Sequence, residues 1–184
     1  MKYLFVFLLV GLTSICIGQS RYAVDETNYY DKDMVVLLKS TNEPVTGIVY
    51  KNYNDSLLSW EINYKYGKQD GLKRAWFLNG PMKLEENWIA GELEGISRIW
   101  YWNGQLEVEC NYKEGERDGL YRYWYENGQP MLEYNVRKGR KHGLFRKWYE
   151  NGQLRTEQYF KKGKNKSQKC WNHQGIARRC TIHD

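Results

Sequence analysis

The sequence predicts an all-β protein built from successive antiparallel hairpins. Three observations carry that prediction. Gly67, Gly91, Gly115, Gly139 and Gly163 stand 24 residues apart without an insertion. An Asn-Gly pair recurs at one phase of that period, as Asn79-Gly80, Asn103-Gly104, Asn127-Gly128 and Asn151-Gly152. Each pair sits between short runs rich in aromatic and β-branched residues. A fixed period of this size marks a repeat architecture, and Asn-Gly between β-rich runs is a strong hairpin signal, read here as a type I′ turn.

The 184-residue chain opens on Lys2, an apolar run over Leu4–Leu12, and Cys16-Ile17-Gly18. That order resembles an export signal, with cleavage expected before Gln19. The run is too short for a membrane span. Cleavage at Cys16, as in a lipoprotein, is disfavoured by the bulky Ile15. The mature protein is thus expected to be exported, in the periplasm, at the cell surface or secreted. Residues 19–42 read as a polar leader of weak structure followed by one short strand, MVVLLK over Met34–Lys39. Ser40–Pro44 forms a turn, and Val45–Tyr53 alternates as a strand does.

Residues 43–66 form a degenerate first repeat. Gly47, Ile48, Glu61 and Tyr64 fall on frame, and Asp55-Ser56 replaces Asn-Gly. Four full repeats follow over residues 67–162. Gly115–Lys138 recurs almost unchanged as Gly139–Lys162, and more loosely as Gly91–Glu114 and Gly67–Ala90. Residues 163–184 form a worn last unit and basic tail. There Trp171 falls one position early, Gln174-Gly175 replaces Asn-Gly, and Ser167 replaces the second glycine. Divergent end units are expected, because terminal repeats close an open stack.

With Asn127-Gly128 as the turn, Glu126 faces Gln129 and Arg122 lies opposite Glu133. The same count pairs Arg74 with Glu85, Arg98 with Glu109, and Arg146 with Glu157. It also sets Gly71 opposite Trp88, Gly95 opposite Tyr112, Gly119 opposite Val136, and Gly143 opposite Phe160. Cross-strand opposite charges contribute about 0.2–1 kcal/mol each, and a large neighbour is expected to cover each strand glycine. One face then carries Leu120, Arg122, Trp124 and Glu133. The other carries Tyr121, Tyr123, Tyr125, Leu132, Tyr134 and Val136.

The unit G-x-x-x-G-L-x-R-x-W-Y-x-N-G-Q-L-x-x-E, as over Gly139–Glu157, resembles the MORN-repeat variant family. Pro44-Val45-Thr46-Gly47 is similar to the Pro-x-Thr-Gly opening of bacterial members. The resemblance covers about Val45–Cys180. It implies an elongated antiparallel meander sheet of successive 24-residue β-hairpin repeats.

No catalytic or cofactor site is expected. Catalysis needs unlike groups converging at one place, whereas the Arg and Glu residues recur once per repeat as structural positions do. His142, His173 and His183 lack zinc-ligand spacing with the cysteines. Glu85-Glu86 reads as a solvated strand edge, and the glycines are spaced for turns, not for a phosphate loop. Cys170 and Cys180 flank the turn-like Asn172–Gly175, so a disulfide between them is a candidate; Cys110 is then odd.

Two binding surfaces remain. Trp76, Trp100, Trp124 and Trp148 with Arg74, Arg98, Arg122 and Arg146 form a candidate surface for an unidentified protein, since Trp and Arg are favoured at binding hot spots. The alternative is that these residues only hold the sheet. The second surface is basic: Arg137, Lys138, Arg140, Lys141, Lys161, Lys162, Lys164 and Lys166, with Tyr149, Phe160 and Trp171 nearby. From Val136 to Asp184 there are 14 Lys and Arg against three acids, while Gln19–Asn135 has 13 against 19. Such a field suits an anionic lipid or polysaccharide. Nucleic acid is a poor match for an exported protein. The oligomeric state is left open, because a meander has two free edges.

Overall fold

The computed structural model describes residues 19–30 and 35–181. The expected export signal, Met34 and His183 lie outside them. Among the described residues the strands are β1 (Arg21–Ala23), β2 (Thr27–Tyr30), β3 (Val35–Leu38), β4 (Gly47–Asn54), β5 (Leu57–Lys65), β6 (Lys68–Trp76), β7 (Met82–Ile89) and β8 (Glu92–Leu93). They continue as β9 (Gly95–Trp100), β10 (Leu106–Lys113), β11 (Glu116–Trp124), β12 (Pro130–Arg137), β13 (Arg140–Trp148), β14 (Leu154–Lys161), β15 (Lys164–Trp171) and β16 (Ala177–Arg178). From β4 onward the main sheet is an antiparallel meander of hairpins in chain order, with the short β8 set aside against β7.

The cross-strand register is the one that the sequence implies. Arg74 faces Glu85 and Gly71 faces Trp88. Arg98 faces Glu109 and Gly95 faces Tyr112. Arg122 faces Glu133 and Gly119 faces Val136. Arg146 faces Glu157 and Gly143 faces Phe160.

The turns differ from the expectation, and the difference cancels in the register. Gly128 N–H donates to the Tyr125 carbonyl, and Tyr125 N–H to the Gln129 carbonyl, both at 2.9 Å. The loop therefore holds three residues, Glu126-Asn127-Gly128, and only Gly128 has positive φ (80°). This is the type I turn with a glycine bulge that three-residue hairpin loops favour. Glu126 is a loop residue and does not face Gln129. A second irregularity between Tyr123 and Trp124 slips the pairing back by one, so Arg122 still meets Glu133.

Type I′ turns lie at the other sheet edge, at the 24-residue glycines. Lys138 (φ 50°) and Gly139 (φ 68°) link the paired Arg137 and Arg140. The pairs Tyr66-Gly67, Ala90-Gly91, Glu114-Gly115 and Lys162-Gly163 have the same signature. A non-glycine residue in this conformation is strained by about 1–2 kcal/mol, so something must hold it. A side-chain oxygen 20 residues earlier in the same repeat does. Tyr66 N–H donates to Thr46 Oγ1 at 3.0 Å, Ala90 N–H to Asp70 Oδ2 at 3.1 Å, Glu114 N–H to Glu94 Oε2 at 2.8 Å, and Lys138 N–H to Asp118 Oδ2 at 3.2 Å. Gly91 N–H also donates back to the Gln69 carbonyl at 2.8 Å.

The Asn-Gly edge is cross-linked in the same manner. Asn127 Oδ1 accepts from Gln129 N–H at 2.9 Å, closing its own turn, while its Nδ2 donates to the Glu150 carbonyl of the next turn at 3.0 Å. Tyr125 Oη donates to the Trp148 carbonyl at 2.9 Å. The Gln129 amide oxygen lies against Gly152, where an added Cβ would come within 2.8 Å of it. The constancy of the Tyr-x-Asn-Gly-Gln string thus has a physical cause.

Gly119 is also more than a covered glycine. It sits in a bulge of β11 at φ 112°, and the Asn111 side chain from β10 occupies the space beside it, 3.1 Å from where a Cβ would stand. Asn111 Nδ2 donates to the Leu120 carbonyl at 3.1 Å, which the bulge takes out of the ladder. In the last unit Ser167 replaces that glycine, and the irregularity between β14 and β15 is one residue shorter than between β12 and β13. Trp171 therefore falls one position early.

The described residues of the leader, 19–30 and 35–42, are ordered, contrary to expectation. β1 pairs in parallel with β4, covering its edge. β3 pairs with β2, and Val36 N–H donates to the Gly67 carbonyl at 2.9 Å. Val36, Val45, Val49 and Tyr64 form a buried cluster there. Burial of apolar side chains supplies the order that the leader's polar composition concealed. At the other end Cys170 and Cys180 form a disulfide, and Cys110 is a buried free thiol.

Asn127→Ala removes both the turn closure and the donor to the next repeat. The expected loss is about 1–2 kcal/mol, read as a lower midpoint in urea unfolding of the full mature chain.

Candidate functional site

Two surfaces hold the residues that the sequence singles out. The first is the face bearing the arginines and tryptophans. Along it runs an alternating ion ladder. Arg21 meets Glu61 at 3.1 Å, and Arg74 meets Glu85 at 3.1 Å and Glu61 at 3.8 Å. Arg98 Nε lies 3.0 Å from Glu109 and Arg122 Nε 3.0 Å from Glu133. Arg98 and Arg122 also reach back to Glu85 and Glu109 at 3.7 and 3.6 Å. Arg146 pairs with Glu157 at 3.0 Å. These side chains are partly exposed, so each pair is worth little singly. Collectively they neutralise the row and fix its geometry.

Trp76, Trp100, Trp124 and Trp148 flank that ladder and are all half-buried. They pair across the hairpins with Met82, Leu106, Pro130 and Leu154. On the other side of the ladder stand Leu72, Ile96, Leu120 and Leu144, of which Ile96 is 42% and Leu144 41% exposed. The face is a neutralised ionic stripe between an aromatic and an aliphatic row.

The second surface is the I′-turn edge near the C-terminus. Arg137, Lys138, Arg140, Lys141 and Lys162 line one open cleft of about 520 Å³, together with His142. Arg137 and Arg140 are direct cross-strand partners, as are Lys161 and Lys164 on the next turn. Like charges set opposite each other destabilise a hairpin. Lys166 is exposed on β15 and is not among the lining residues. The aromatics grouped with this patch in the sequence are divided by the fold. Phe160 is at the basic edge. Tyr149 belongs to the Asn-Gly edge, where it stacks on His173 at 3.7 Å and donates to the Trp171 carbonyl at 2.9 Å.

An aromatic row backs the cleft: Tyr121–Tyr134 at 4.9 Å, Tyr134–Phe145 at 5.5 Å and Phe145–Phe160 at 5.9 Å between centroids. The Lys141 ammonium lies 4.2 Å from the Phe145 centroid and 5.3 Å from those of Tyr134 and Phe160. Ring faces favour the cation, but burial of the ammonium outweighs them. It holds the Lys141 pKa below its ordinary 10.5, and the neighbouring Lys147 charge adds to the effect. Tyr123, on the same face, is pushed up by donating to Glu107 Oε1 at 2.6 Å. That contact binds two repeats and is not an acid–base pair in a cleft.

Sequence reading missed the side chains that cap the I′ turns. Their signal is present: Thr46, Asp70, Glu94, Asp118 and His142 recur 24 residues apart, each directly before a glycine (Gly47, Gly71, Gly95, Gly119 and Gly143). Among the described residues, no three His, Cys, Asp or Glu side chains gather as a metal site.

Lys141→Met keeps the apolar stem over the rings and removes the desolvated charge. It is expected to equal or exceed the parent in stability at pH 7. Because the folded-state pKa is lowered, the parent's penalty persists while the lysine is charged in both states. It fades as pH rises from that lowered value through 10.5. The gap between the two urea midpoints should therefore narrow between pH 7 and the ordinary lysine value.

A model of the family described as MORN repeat variant matches residues 93–114, 117–138 and 141–162. No curated protein matches the chain.

Proposed function

Because these three consecutive units place the chain in the MORN-repeat variant family, whose repeats are in general non-catalytic modules associated with protein or membrane binding, we propose that it is a protein-binding or scaffold module of the cell envelope. The partner docks on the face formed by the arginine ladder and its flanking rows. The observation that carries this reading is the electrostatic closure of that face. Its Arg and Glu side chains satisfy one another along successive repeats, so a partner covers them without stranding a bare charge. The Trp and Leu rows on either side supply apolar area and aromatic anchors.

A second reading is favoured by the like-charged pairs Arg137–Arg140 and Lys161–Lys164. Here the basic edge binds an anionic membrane surface or polysaccharide, and binding weakens with salt. Retention on anionic vesicles at low salt, lost at high salt and absent with neutral vesicles, supports it.

Ile96 and Leu144 are exposed enough for Asp to be tolerated. The double variant Ile96→Asp/Leu144→Asp is expected to keep its urea midpoint. Capture of partner proteins from an envelope extract by the mature chain should fall at least about tenfold, equivalent to about 1.4 kcal/mol. Unchanged capture by the folded double variant would sink the docking-face reading.

A further inference from the structure

The I′-turn edge holds a positional exception. In four units the first turn residue donates its N–H to a side-chain oxygen 20 residues earlier in the same unit, from Thr46, Asp70, Glu94 and Asp118 at 2.8–3.2 Å. In the fifth, Lys162 (φ 52°) and Gly163 (φ 76°) form the same turn. Gly163 N–H still donates back, to the Lys141 carbonyl at 3.1 Å. The capping position is His142, and among the described residues no hydrogen bond runs from the Lys162 amide. The strain of the turn is present while its carboxylate is missing.

The surroundings suit an incoming anion. His142 and Lys162 line the same cleft with Arg137, Lys138, Arg140 and Lys141. The Arg140 side chain lies along Gly163, about 3.7–4.0 Å from where a Cβ there would stand. Lys161 and Lys164 face each other across the turn, a repulsion that a bound anion relieves. The nearby acids are Asp118, already engaged with the Lys138 amide, and Glu116, which lines the adjoining hollow with Arg117 and Lys141. Because Gly163 N–H is engaged by the Lys141 carbonyl, the Lys162 N–H is the turn's one open donor, and the surrounding cationic side chains supply the remaining contacts.

We infer that the Lys162–Gly163 turn is a carboxylate-binding site, completed from outside by an acidic side chain of a peptide segment. The ligand class follows from the molecule's own usage: three of the equivalent amides take a carboxylate oxygen. Arg137 and Arg140 supply charge-assisted contacts to a second acidic group. The inference uses this one turn and does not depend on the arginine face.

The test is amide NMR titration of the mature protein with penta-glutamate, at low and moderate salt, against inorganic phosphate as the competing probe. The Lys162 amide is expected to shift downfield and saturate with penta-glutamate. His142→Asp supplies the cap in cis, and should abolish that shift and weaken the peptide at least about tenfold. Asn165→Asp adds the same charge on the exposed edge without occupying the capping position, and should leave the Lys162 shift in place. His142→Ala should retain it too. Equal binding by His142→Asp would overturn the proposal, as would weakening by Asn165→Asp as large as that by His142→Asp. So would shifts spread over the basic edge that leave the Lys162 amide unmoved, or tighter binding of phosphate at that amide. Since His142→Asp is expected to stabilise the turn, its urea midpoint is an independent check on folding.

Discussion

Everything in this structure depends on hydrogen bonds handed from one repeat to the next at both edges of a single sheet. Most repeat proteins bury a continuous core between stacked units. Among the described residues the buried apolar cluster lies at the N-terminal end, around Val36, Val45, Val49 and Tyr64. Further along, order comes from the Tyr125 hydroxyl and Asn127 amide reaching forward at one edge. At the other edge Asp118 reaches forward and holds the following turn. A net hydrogen bond is worth about 0.5–1.5 kcal/mol. A few such bonds per junction are comparable to the strain of a left-handed Lys138. A unit of this kind is unstable alone and stable in a row.

That constraint explains the two ends. A first repeat has no predecessor to hold its turn, and a last repeat has no successor for its tyrosine to reach. At the start β1 covers the edge of β4, and β3 clamps the Gly67 turn through Val36. At the finish Tyr149 still finds Trp171 and Asn151 still finds His173, because the worn last unit keeps its three-residue turn. The Cys170–Cys180 bridge closes the segment beyond that turn. Cross-links of this sort restrict the unfolded chain, so they act where few native contacts are available.

The same logic separates what was legible in the sequence from what was not. Register was legible because opposite charges and glycine–aromatic pairs recur at fixed offsets, as Arg122–Glu133 and Gly143–Phe160 do. Turn type was not. Asn-Gly is favoured in I′ turns for its positive φ, yet Asn127 is retained here for its side-chain amide, which closes one turn and grips the next. The I′ conformation falls instead to residues such as Lys138 and Glu114, which no local propensity selects; a carboxylate 20 residues earlier does. The leader was misread for a related reason: its order comes from tertiary partners, and composition reports only on local preference. The basic residues were visible, but that Phe160 stays beside them while Tyr149 goes to the opposite edge follows from strand length and turn placement.

Recurrence and exception therefore carry different information. The tryptophans and arginines recur because each junction repeats the last, and a surface so built looks the same to a partner at every step of the frame. Multiple equivalent contacts give avidity without fixing alignment. His142 breaks the series at one position only, beside the like-charged pairs. A partner that contacted both the periodic face and that single edge would gain affinity from the first and register from the second. Recognition along a repeat sheet needs such an asymmetry, because translation by one unit otherwise leaves the contacts unchanged.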